Sequence, residues 1–91
     1  MSAIELAVEI AGWGGAVLIL VAYFLLTLGK LAARSLTYQA MNLLGALGFV
    51  INSGWHGAIP NAALNVAWAG IALYALIGLA RRPGRASANP E

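Results

Sequence analysis

Three apolar runs, at residues 11–28, 36–53 and 59–79, dominate this 91-residue chain, and all five Lys and Arg residues fall outside them. An α-helix rises about 1.5 Å per residue, so about 20 residues cross a hydrocarbon core about 30 Å thick. Each run has close to that length, which predicts three crossings. Lys30 and Arg34 lie between the first two runs, Arg81, Arg82 and Arg85 follow the third, and Glu5 and Glu9 precede the first. An odd number of spans puts both basic segments on one face. The bias of Lys and Arg toward cytoplasmic flanks then predicts the N-terminus outside and the C-terminus in the cytoplasm.

Composition points the same way. The chain is 62% hydrophobic and 9% charged, far from the roughly 25% charged residues of a soluble domain. Its net charge of +2 is confined to flanks, which gives a nucleic-acid reading no basic face to rest on. The chain has no cysteine, so disulfides and thiolate chemistry are excluded. Two Glu and no Lys or Arg before the first run argue against a cleaved signal peptide.

The expected organisation is one all-α transmembrane domain over residues 1–81, with residues 82–91 as a disordered cytoplasmic tail. Residues 1–9 read as a short amphipathic helical lead-in to the first span. Trp13-Gly14-Gly15 could loosen its outer end. The Gly-rich segment 53–60 reads as a tight turn, with Pro60 suited to the first turn of the third helix. Short connections make consecutive helices antiparallel neighbours, predicting a compact up-down-up bundle. Trp13 and Trp55 then fall near the outer boundary and Tyr38 near the inner one.

The spans are not uniformly greasy. Stepping 100° per residue, Tyr38, Asn42, Gly45, Phe49, Asn52, Ser53 and His56 fall within an arc of about 100°, opposite Leu43, Leu44, Leu47, Val50 and Ile51. On the third helix Asn61, Asn65, Trp68, Ala72 and Ala75 share a face. An unpaired amide in hydrocarbon costs several kcal/mol, so these stripes must face protein or water. They read either as glue between helices, worth about 1 kcal/mol per hydrogen bond, or as a site where rings stack on a small polar solute and amides bond it. On the first helix Gly12, Gly15, Ala16, Ile19 and Tyr23 form a small-residue face, read as a packing seam.

The motifs Trp13-Gly14, Ala22-Tyr23, Asn42-Leu43-Leu44-Gly45 and Leu64-Asn65-Val66-Ala67-Trp68 resemble an uncharacterised family of small bacterial three-helix proteins, loosely termed permease-like. That resemblance implies a multi-pass protein of the bacterial inner membrane. More distantly, from about Gly12 to Leu79, the chain resembles the SemiSWEET and PQ-loop sugar transporters. Leu44-Gly45 and Pro60 match their pattern, Asn65 coincides with their substrate-binding asparagine, and Phe49 takes the place of their stacking tryptophan. This likeness implies a parallel homodimer around a central site, since three helices alone cannot surround a solvated path. Asn65 would hydrogen-bond the solute, Phe49 and Trp68 would stack on it, and Asn42 or Tyr23 would lie near the inner gate. Where those transporters carry a Pro-Gln hinge, this chain reads Leu26-Thr27, which leaves the helix its hydrogen bonds and no built-in kink.

The expected function is therefore SemiSWEET-like passive facilitation of a small polar solute by a homodimer, with a non-transporting accessory or scaffold subunit of a larger membrane complex as the alternative. Intramembrane carboxylates, which ion coupling generally uses, are absent from the runs. Glu5 and Glu9 read as a solvated face, and His56 as an interfacial residue in the outer turn. Ser53 and His56 share a helix face without an oriented base or oxyanion hole, so catalysis is not expected. With one His and no phosphate loop, neither a metal nor a nucleotide cofactor is expected.

Overall fold

The computed structural model describes residues 1–81 and contains three helices: α1 (Ala3–Thr27), α2 (Leu36–Trp55) and α3 (Ile59–Ala80). The expected tail, 82–91, lies outside the described residues. Each helix boundary has a local cause. Ser2 and Glu5 form a capping box at the start of α1, each side chain bonding the other's backbone N–H at 3.1 and 2.8 Å. Ser35 caps α2 by accepting from the Tyr38 N–H at 3.1 Å. Pro60 sits in the first turn of α3, where a missing N–H leaves no bond unmade.

α1 and α2 both end in a Schellman motif. Beyond α1, the Lys30 N–H donates to the Leu25 carbonyl and the Gly29 N–H to Leu26. Beyond α2, Ala58 donates to Ser53 and Gly57 to Gly54. The motif needs a left-handed residue at its centre, and Gly29 and Gly57 have φ of 77° and 74°.

The first span is expected from residue 11, after a short helical lead-in, with Trp13-Gly14-Gly15 loosening its outer end. Lead-in and span form one helix: α1 runs from Ala3, where the capping box starts it, through Trp13-Gly14-Gly15 without loosening, because the glycines keep their helical bonds. α1 and α3 are long and apolar enough to cross a membrane. α2 does not meet the same standard: Gln39, Asn42, Asn52 and Ser53 lower its mean hydropathy.

α1 and α3 both pack antiparallel on α2 and hardly meet each other. The seam between α1 and α2 is built from missing side chains. A Cβ on Gly15 would lie 2.6 Å from the Gly45 carbonyl oxygen, one on Gly12 would strike Asn52, and one on Gly48 would strike the Ala11 carbonyl. Close backbone approach of this kind gathers dispersion contacts where apolar burial from water is not the driving force. The buried apolar residues are Val8, Ala22, Ala32, Ala46, Ala69 and Ala72, while Leu44, Leu47, Ile51, Leu64, Val66, Ile71 and Leu73 are exposed. Small residues inside and large aliphatics outside invert the usual soluble core.

The positions that α2 offers its two neighbours fix the shape. Gly45, Gly48 and Asn52 meet α1, and Asn42 and Ser53 bond side chains of α3. At 100° per residue these two faces lie about 100° apart. With neighbours packed 8–10 Å away, the axes of α1 and α3 are then separated by about 12–15 Å. The three helices occupy three corners of a square, so the compact bundle expected from the short loops is open along its fourth corner.

Candidate functional site

The amides of the stripes are all engaged within the chain. Asn52 Nδ2 donates to the Val8 carbonyl at 3.0 Å, tying α2 to α1. Asn42, 6% exposed, donates to the Tyr38 carbonyl at 3.1 Å and accepts from the Trp68 indole N–H at 3.4 Å. Asn61 donates to the Ser53 hydroxyl. Asn65, 7% exposed, donates to the Asn61 carbonyl one turn back at 3.0 Å. Among the described residues no buried side-chain nitrogen or oxygen lacks a partner.

What remains of the α2 stripe faces the open corner. Tyr38, Phe49 and His56 lie within about 20° of one another on the helical wheel, midway between the face that meets α1 and the face that meets α3. Two shallow grooves follow this corner. One, of about 310 Å³, is lined by Tyr38, Asn42, Trp68, Ile71 and their neighbours. The other, of about 300 Å³ and nearer the N-terminus, is lined by Glu9, Gly12, Trp13, Ala16, Phe49 and Asn52. At its end His56 Nε2 and Glu9 Oε2 pair at 2.9 Å across the mouth between α1 and α2.

The five residues expected to bind solute are therefore distributed over separate places. Asn42 and Trp68 share the first groove and bond each other. Phe49 lines the second groove. Asn65 is buried and donates to its own helix, and Tyr23 is 62% exposed on α1. The Glu9–His56 pair joins two residues that sequence reading treated singly, 47 positions apart. Only the antiparallel register of α1 against α2 brings them together. Among the described residues no group of three or more His, Cys, Asp or Glu is placed to hold a metal ion.

Fold and site together define a three-helix all-α protein with two helices apolar enough to span a membrane and a polar interior seam. A protein-family model matches residues 8–83, and the chain belongs to that small, uncharacterised family. No curated protein and no solved structure matches the chain.

Proposed function

We propose that this is an integral membrane protein crossing the bilayer three times, N-terminus outside, and that it acts as a non-transporting scaffold subunit. Its open corner receives one transmembrane helix of a partner protein. The observation that carries this reading is that each Asn of the stripes already donates a hydrogen bond within the chain and that, among the described residues, no fully buried side-chain polar atom lacks a partner, whereas a solute path needs polar groups free to bond its cargo. The unbroken α1 adds to it. An axis separation of about 12–15 Å leaves the fourth corner of a four-helix square open to a single helix about 10 Å across. The exposed Trp13 and Trp68 provide aromatic walls for it. α2, flanked by α1 and α3, crosses with its amides covered.

The chain has no native cysteine, so single cysteines can be placed cleanly. From Phe49→Cys and Trp68→Cys, cross-linking in native membranes should give an adduct with a defined larger protein. Leu44→Cys and Ile51→Cys, on the far side of α2, should not. Equal labelling from both sides would sink the proposal.

One feature favours a second reading, the SemiSWEET-like homodimeric facilitator: Tyr38, Phe49 and Trp68 border the open corner, where two copies face to face would enclose an aromatic path. In that case the adduct has twice the mass of the chain. Liposomes holding pure protein would then admit a small polar solute, at a rate lowered by Phe49→Ala.

A further inference from the structure

The basic end of the molecule carries a groove that neither reading uses. It has a volume of about 350 Å³ and lies between the α1–α2 connection and the last turns of α3, lined by Arg34, Gln39, Tyr74, Gly78 and Leu79 among others. Its wall is built to stay in place: Gln39 Nε2 donates to the Ala33 carbonyl at 2.7 Å, and Ser35 Oγ to the Ala32 carbonyl at 2.8 Å. These bonds fix the backbone on either side of Arg34. Nothing lies within 4 Å of where a Gly78 Cβ would be, so the α3 side is open.

The charges around it have one sign. Lys30, Arg34 and Arg81 gather at this end, whereas Glu5 and Glu9 of the described chain lie at the other end of α1. α2 begins beside Arg34 with no acidic residue in its first turn, while the C-terminal ends of α1 and α3 at the same end carry dipoles of the opposite sign, so the side-chain cations supply the attraction for an anion. Below the charged rim the surface is apolar, made by the Tyr74 ring, Leu79 and the bare Gly78 backbone. A charged rim above an apolar slot matches one molecule in particular, a phospholipid with a phosphate at its head and an acyl chain beneath.

We infer that this groove is a binding site for an anionic phospholipid, its head-group phosphate on Arg34 and its acyl chain along Tyr74 and Gly78. The inference rests on the membrane reading above. It is independent of whether the protein docks a helix or moves a solute.

The test uses the full chain in nanodiscs of mixed phosphatidylglycerol and phosphatidylcholine with matched acyl chains, and native mass spectrometry to read retained lipid. Wild type should retain phosphatidylglycerol preferentially. Arg34→Gln should lower that preference about fivefold, as loss of one basic side chain near an anionic surface implies. Gly78→Leu, which keeps every charge and fills open space, should lose the bound lipid as well. Equal retention of both lipids, or an unchanged preference in both variants, would overturn the site. Displacement by inorganic phosphate would overturn it too, showing a site for the free anion alone. Resistance of vesicle-bound protein to alkaline extraction, measured in parallel, separates failure of the lipid site from failure of the membrane reading.

Discussion

Gly15 and Gly45 meet backbone to backbone: a Cβ on Gly15 would come within 2.6 Å of the Gly45 carbonyl oxygen. No flexible side chain is available to yield there. Gly15→Ala, and likewise Gly48→Ala, should therefore push α1 and α2 apart at a cost of about 1–3 kcal/mol. Gly14→Ala and Gly70→Ala, where a Cβ meets nothing within 4 Å, should leave stability unchanged or slightly raised. Unfolding in mixed detergent micelles reads the difference, and equal effects at all four positions would contradict the seam.

The Asn42–Trp68 bond links α2 to α3 at 3.4 Å. A double-mutant cycle with Asn42→Ala and Trp68→Phe should give a coupling of about 0.6 kcal/mol, typical of hydrogen bonds between membrane helices. Additive losses would mean the bond contributes nothing. Asn52→Leu should cost a similar amount by freeing the Val8 carbonyl.

Gly57 holds its φ of 74° at the centre of the turn into α3. Replacing it with Ala strains that left-handed backbone by about 1–2 kcal/mol, whereas Gly54→Ala, inside α2 and facing open space, should cause no loss. Thermal unfolding of the two variants under identical conditions distinguishes them.

Glu9 and His56 pair at 2.9 Å, with 36% and 51% of their side chains exposed. At such exposure an ion pair contributes no more than about 1 kcal/mol. Glu9→Gln should thus leave the fold intact and lower stability by less than the glycine substitutions. A large loss would indicate that the pair holds the N-terminal part of α1 to the C-terminal end of α2.

The charge pattern predicts orientation. A fluorescent reporter that matures only in the cytoplasm should glow when fused after residue 91, and an alkaline phosphatase that folds only outside should be active when fused in the turn at Gly57. The reverse pattern would refute the N-out topology.

The helical content and the number of helices were legible because apolar runs of one helix length leave the backbone no other economical way to satisfy its hydrogen bonds. The turn glycines were readable as turns, and Pro60 as a helix start. Residues 1–9 read as a helical lead-in, and the capping box of Ser2 with Glu5 joins them to the first apolar run as one helix that begins before the hydropathy rises. The stripes of α2 and α3 were visible as faces, yet the choice between glue and binding site was not. A wheel shows which residues share a side of one helix and says nothing of what stands opposite.

By itself, then, the sequence determined three helices, their antiparallel order, their charge asymmetry and the need to cover the amides, because these follow from periodicity and chain connectivity. Tertiary structure decided which partner each amide takes, and therefore that Asn42 bonds Trp68 while Asn65 bonds back to Asn61. It also decided that Glu9 reaches His56 and that the fourth corner stays open. Those outcomes depend on the rotation and register of one helix against another. The interlocking of Gly12, Gly15, Gly45 and Gly48 sets both for α1 and α2, a fit between surfaces that no single helix contains.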